Sequence, residues 1–161
     1  LLIVAFVLPP LVPPGSGRSQ LGRVVEALYD LEPVLAESDY AGAFSETLAR
    51  FRRRTMLVVL TDLVAQAVDE WLVPALPLIL REHVVVVAGV SDPDVARWSA
   101  APGDDPSTVY RRAAALSALD ARRRTVSRLR GLGATVIDAR PGGLAPALAD
   151  TYLRVKATGR L

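Results

Sequence analysis

Three aspartates stand where buried strands of a parallel sheet would end. Asp62 follows the apolar run 56–60, Asp92 follows 84–90, and Asp138 ends 134–138. Because the carboxyl ends of parallel strands share one edge, we expect the three carboxylates on one rim of the sheet. They would suit Mg²⁺, which prefers oxygen ligands. Each also suits the ordinary role of capping a helix or turn. We favour that role for Asp92 and Asp138, and for Asp62 both interpretations stay open.

Most other chemistries have little support in this sequence. His83 is the only histidine and precedes a predicted strand, at the end away from the rim, so we interpret it as a packing or loop residue and find weak support for a Ser-His-Asp site. No glycine-rich loop precedes Lys-Ser/Thr, and the glycines at 142–143 lack dinucleotide-fingerprint spacing. The chain has no cysteine, hence no thiolate zinc site and no disulfide framework.

Composition describes one globular domain, residues 1–161, with 51% hydrophobic residues. The formal net charge is only +2, so no global field would draw in nucleic acid. We interpret the arginine triplets 52–54 and 122–124 as solvated faces and both tryptophans as packing residues. The absence of cysteine fits a reducing cytoplasm.

Strands and helices alternate in the predicted secondary structure. Continuous apolar runs predict strands at 2–8, 55–61, 84–90 and 134–138. Helical spacing predicts five helices: from 19 to Pro33, from 38 or 39 to the arginines at 52–54, and over 64–80, 106–131 and 144–157. The third of these should have a kink or break at Pro74 and Pro77. Residues 93–106 are predicted to form a loop with one helical turn. The fold class is therefore α/β, a doubly wound, mostly parallel sheet in a three-layer, Rossmann-type arrangement.

The predicted inward faces of three helices follow from the same spacing. They comprise Leu21, Val24, Val25, Leu28 and Leu31 in the first helix, Tyr110, Ala114, Leu116, Leu119, Val126 and Leu129 in the longest, and Leu144, Leu148, Tyr152, Leu153 and Val155 in the last.

Several short motifs, in order, resemble the bacterial domain-of-unknown-function fifty-eight family, specifically its von Willebrand factor A-like half. The motifs are Leu28-Tyr29-Asp30-Leu31-Glu32-Pro33, Glu37-Ser38-Asp39-Tyr40, residues 53–62, Tyr110-Arg111-Arg112-Ala113-Ala114, Arg122-Arg123-Arg124 with Leu132-Gly133, and residues 152–161.

The resemblance implies a metal-ion-dependent adhesion site at the rim. Such a site combines an Asp-x-Ser-x-Ser loop after the first strand, a hydroxyl from a second loop, and an aspartate after the fourth strand. By position Ser38 matches the hydroxyl and Asp62 the last acid, so these two are the implied Mg²⁺ ligands. The first motif does not occur in residues 1–161. We expect the chain to begin after it, and the strand at 2–8 to pair directly with 55–61 or leave backbone groups unpaired, giving a poorly stable or self-associating product.

The resemblance also implies a function. We expect a non-enzymatic protein-interaction module that works with a chaperone-type AAA+ ATPase, without nucleic acid, and without membrane contact by this segment, although similar proteins often carry hydrophobic helices upstream. The alternative is a metal-assisted hydrolase that uses Asp62, Asp92 and Asp138.

Overall fold

A computed structural model of the chain describes residues 2–4, 12, 15, 17–29 and 39–159. Its sheet has four parallel strands in the order β1 (Leu2–Val4), β2 (Met56–Leu60), β3 (Val84–Val90) and β4 (Thr135–Ala139). The predicted α/β class with a parallel sheet between helices is confirmed. The first strand pairs directly with the second, Ile3 opposite Val58, which is the first of the two arrangements expected for it.

Helices connect these strands and follow the last one. They are α1 (Arg18–Tyr29), α2 (Tyr40–Arg50), α3 (Ala65–Ala67), α4 (Val73–Leu80), α5 (Pro93–Ser99), α6 (Pro106–Gly131) and α7 (Leu144–Ala157). Asp39 caps α2, accepting a hydrogen bond from the Gly42 amide at 2.8 Å. A proline at position 1 of α5 or α6 costs nothing, because the first amides of a helix have no intrahelical acceptor.

A π-helical turn, Val68–Leu72, joins α3 to α4. The helix runs through both prolines without the predicted break: the π turn lies directly before Pro74, and Pro77 lies inside α4. Pro74 lacks an amide hydrogen, and its ring would crowd the carbonyl of Glu70, which lies in the wider turn. The π turn therefore lets one helical segment continue from 65 to 80 despite its prolines.

Alternation along the strands divides the core into two layers. Leu57, Val59, Val85, Val87 and Val136 face α2, α4 and the second half of α6. On the other side, Met56, Val58, Val86, Ile137 and Ala139 face a group on α7: Leu144, Ala147, Leu148, Tyr152 and Val155. Every side chain of β3 except Val90 is buried, which explains why that strand is an unbroken apolar run.

Predictions about four helices are wrong, in three of them only at particular residues. Residues 93–99 form α5, because Asp92 accepts from the Asp94 amide at 2.8 Å and Pro93 suits the first helical position. In α6 the first half leans on α5 beyond the sheet, so Tyr110 (80% exposed) and Leu116 lie outward. In α7 Leu153 is also exposed. The predicted face of α1 differs too, since the described residues leave Leu21 and Val25 uncovered; Leu31 lies outside them.

Candidate functional site

The carboxyl edge of the sheet presents Asp62 to solvent. β2 ends at Leu60, and the Thr61 amide still donates to the Ala88 carbonyl at 3.0 Å. The chain then leaves the sheet, and the exposed Asp62 carboxylate accepts only long contacts within its own loop, from the Val64 amide at 3.4 Å and the Thr61 hydroxyl at 3.5 Å. The expected position of Asp62 on the rim is confirmed, and its carboxylate has lone pairs to offer a partner.

Leu63 fixes the direction in which Asp62 points. It is the only described non-glycine residue with positive φ, at 58°, a conformation that costs on the order of 1 kcal/mol. Its side chain is 1% exposed in the core against α2 and α4. Burying a leucine contributes roughly 1.5–3 kcal/mol, which offsets the strain. Because Leu63 turns inward, the preceding carboxylate turns outward.

Arg122 of α6 holds the same loop from the side. Its guanidinium donates to Asp138 through Nε (3.0 and 3.1 Å) and Nη2 (2.8 Å), a bidentate pair. Its Nη1 donates to the Asp62 carbonyl oxygen at 2.6 Å. The two side chains are 17% and 30% exposed, so this ion pair is partly shielded from water. We call the three residues the Arg122 clamp; it ties α6, β4 and the Asp62 loop together.

Two backbone segments, at Gly89 and at Thr61, approach each other closely next to the clamp. Gly89 pairs with Asp138 across the sheet, and the Thr61 carbonyl oxygen occupies the space that a Cβ at Gly89 would fill. Glycine is therefore required here by contact, not by its backbone angles. This approach brings the end of β2 against β3 and sets the position from which the Asp62 loop departs.

The three rim aspartates have three different roles. Asp92 caps α5, as favoured. Asp138 caps nothing, because its carboxylate pairs with Arg122 from within β4. Among the described residues no group of three or more His, Cys, Asp or Glu is placed to hold a metal ion. The three carboxylates therefore do not form the expected cation rim, and the hydrolase alternative gains no geometric support.

The second implied metal ligand, Ser38, lies outside the described residues. At the rim, the described part of the chain contributes one free carboxylate to a cation, that of Asp62. A single carboxylate does not make a Mg²⁺ site without further oxygen ligands.

Exposed apolar side chains lie at the same edge of the sheet as Asp62. Leu60 and Val90, the last residues of β2 and β3, are 46% and 40% exposed, and Val64 is 50% exposed. We call these three residues with Asp62 the rim patch. The patch thus combines one acidic group with three exposed aliphatic side chains, each of which would gain from being covered.

Arg122 is the functional residue that the sequence interpretation missed. The sequence predicts a solvated face for the triplet 122–124, which is wrong for Arg122 alone, because Arg123 and Arg124 are 72% and 73% exposed. A signal was present. The buried residues of α6 are Ala115, Thr125, Val126 and Leu129, and position 122 falls on the same helical stripe.

His83 is a packing residue at the opposite end of the sheet, as predicted. It is 2% exposed, and its Nδ1 accepts from the Thr55 amide at 3.3 Å. Desolvation by burial lowers the pKa of its imidazole, Glu82 raises it, and Arg54 lowers it. The Nε2 atom is buried without a hydrogen-bond partner. The ring is therefore neutral, with its proton on Nε2.

Comparison with protein families gives one match. A family model described as "Protein of unknown function DUF58" matches residues 3–98, which include β2, β3, the Asp62 loop and most of β1 and α5. The matched region stops before α6, β4 and α7. No curated protein and no solved structure matches the chain. Among the described helices, none has the length and apolar character needed to cross a bilayer.

Proposed function

The chain belongs to the DUF58 family, and from this membership together with the rim patch we propose that it is a non-enzymatic protein-interaction module that binds through Asp62. One observation carries the proposal: the Asp62 carboxylate is exposed and unpaired by any cation of the described residues, among three half-exposed aliphatic side chains. The neighbouring carboxylates are already engaged, Asp92 as a cap and Asp138 in the Arg122 clamp.

The finer identity we propose is the von Willebrand factor A-like half of the family. A parallel sheet with an aspartate leaving β2 at its carboxyl edge supports this assignment. In that architecture a first motif, Asp-x-Ser-x-Ser, would join Ser38 and Asp62 around a cation. Residues 1–161 contain no such motif, and the described residues do not fit a cation by themselves. For this chain we therefore propose contact through the Asp62 carboxylate itself, with Mg²⁺ bridging only where the missing motif is supplied.

The partner we propose is a chaperone-type AAA+ ATPase. This choice of partner rests on the family resemblance, and the rim patch supports a protein partner in two ways. A free carboxylate accepts an arginine or lysine from the partner, and the aliphatic residues supply area that a partner covers. The loop is held by Leu63 and Arg122, so little ordering is needed on binding, which favours affinity.

The test is co-purification of the chain with the chaperone-type AAA+ ATPase encoded in the same genome, in Mg²⁺ and in a chelator. We expect Asp62→Ala to reduce recovery of the complex strongly, because it removes the charged acceptor. Asp104→Ala is the matched control, since Asp104 is an exposed carboxylate in the loop between α5 and α6 and is not part of the rim patch. For this chain the chelator should have no effect. Recovery indifferent to Asp62→Ala would refute the proposal, and loss of the complex in chelator would refute direct contact.

The apolar half of the rim patch is tested in the same assay. Leu60→Ser should weaken the complex, whereas Leu153→Ser, which alters a leucine 61% exposed on α7, should not. If both variants weaken the complex equally, the effect of replacing an exposed leucine does not depend on its position at the rim.

A further inference from the structure

An apolar groove lies between α5 and α6, outside the rim patch. Its volume is about 520 Å³. Val95 and Trp98 of α5 line it on one side, and Tyr110, Ala114 and Ala118 of α6 line it on the other. Trp98 is half-buried and Tyr110 is 80% exposed. The small alanine side chains leave room for the apolar side chains of a partner beside the two aromatic residues.

Positive charge is concentrated on the same helix. α6 holds seven arginines and one aspartate, although the whole chain has a formal net charge of only +2. Six of the arginines contact acceptors within the chain. These are Arg112 with the Ala101 carbonyl, Arg122 in the clamp, Arg123 and Arg124 with Asp120, Arg128 with Asp69, and Arg130 with the Val136 carbonyl.

Arg111 differs from these six. It lines the groove, it is exposed, and no described residue accepts a hydrogen bond from it or forms an ion pair with it. A guanidinium with five donors is thus available beside an apolar cleft. A ligand that fills the cleft and also presents a carboxylate would satisfy both features.

We propose that this groove, which we call the α5–α6 groove, docks an acidic amphipathic segment of a partner protein. Aliphatic side chains of the segment pack between Trp98 and Tyr110, and one of its carboxylates pairs with Arg111. Nucleic acid fits less well, because it needs several free cations spaced along a backbone and most arginines of α6 are engaged internally. The proposal does not depend on the rim patch and stands if that function fails.

Fluorescence of Trp98 provides the test. The chain has two tryptophans, so Trp71→Phe leaves Trp98 as the only indole reporter. The probes are two synthetic peptides of about 16 residues, long enough to form helix, with identical leucines and with either glutamate or lysine at every polar position. We expect the glutamate peptide to bind about tenfold more tightly than the lysine peptide. An exposed ion pair with Arg111 should raise the affinity of the glutamate peptide up to about fivefold, and repulsion should lower that of the lysine peptide by up to a similar factor.

Three variants of the Trp71→Phe chain extend the test. Arg111→Glu should reverse the preference between the two peptides. Ala114→Phe should fill the groove and abolish binding, and Arg124→Glu, which alters an arginine 73% exposed beyond the groove, should change nothing. Circular dichroism confirms that each variant stays folded.

Three results would overturn the proposal. Equal affinity for both peptides would remove the role of charge. A preference unchanged by Arg111→Glu would remove Arg111 from the site. Binding of a single-stranded oligonucleotide at Trp98, with affinity lost on Arg111→Glu, would assign the groove to nucleic acid instead.

Discussion

Replacing Arg122 by methionine removes the Arg122 clamp while keeping a side chain of similar length. The change deletes the bidentate pair with Asp138 and the bond to the Asp62 carbonyl, with donor–acceptor distances from 2.6 to 3.1 Å. Hydrogen bonds to charged groups contribute roughly 1.5–3 kcal/mol each when well shielded. Exposed ion pairs contribute at most about 1 kcal/mol. With side chains 17% and 30% exposed, the clamp lies between these limits.

We therefore expect Arg122→Met to lower the free energy of unfolding by about 2–3 kcal/mol. Part of that loss is the cost of leaving Asp138 partly buried and unpaired. A double-mutant cycle with Asp138→Asn separates the two contributions, and we expect a coupling energy of about 1.5–2 kcal/mol between the two side chains. Urea unfolding followed by circular dichroism, extrapolated linearly to water, supplies all four values.

Arg124→Met is the matched control, because Arg124 is 73% exposed and lies 3.6 Å from Asp120. It should change stability by no more than about 0.5 kcal/mol. The inference about the clamp is refuted if Arg122→Met costs no more than this control, or if the coupling with Asp138 is under about 0.5 kcal/mol.

Two further predictions concern stability. Gly89→Ala should lower the free energy of unfolding by about 2–3 kcal/mol in urea unfolding, because its Cβ would overlap the Thr61 carbonyl oxygen. The control is Gly131→Ala, which has open space at its Cβ and should be neutral or stabilising. A similar effect of both variants would contradict the close approach of Gly89 to the Thr61 carbonyl. Burial lowers the pKa of His83 below 6.5 in the folded chain, so the unfolded chain takes up the proton first. The contribution of neutral His83 to the free energy of unfolding should therefore be fully present above pH 6.5 and be lost as the pH falls below it. His83→Gln should flatten that decline, since the chain has one histidine, and an unchanged slope would show that His83 is not its source.

Elements governed by local pattern were predictable from the sequence. β3 (Val84–Val90), α6 (Pro106–Gly131) and α7 (Leu144–Ala157) have the predicted bounds, because unbroken apolar runs, capping residues and glycines mark them directly. Asp62 on the rim followed from the same reasoning, since a residue directly after a buried strand must leave the sheet at its edge.

Pairing between distant residues was not predictable. Arg122 contacts Asp138 and Asp62 over sequence separations of 16 and 60 residues, and no local pattern records that distance. The packing of α5 against α6 was likewise not predictable from local patterns. Tyr110 and Leu116 fit an amphipathic stripe, yet the first half of α6 extends past the sheet, so the layer that would have buried them lies elsewhere.

The central claim is that the Asp62 carboxylate forms the contact with a protein partner. The most direct measurement is the dissociation constant of the chain for the chaperone-type AAA+ ATPase, compared between Asp62→Asn and Asp104→Asn. Asp62→Asn keeps the shape of the side chain and removes its charge, so we predict affinity at least about tenfold weaker, with the Asp104 variant unchanged. Equal dissociation constants for the two variants would contradict the claim.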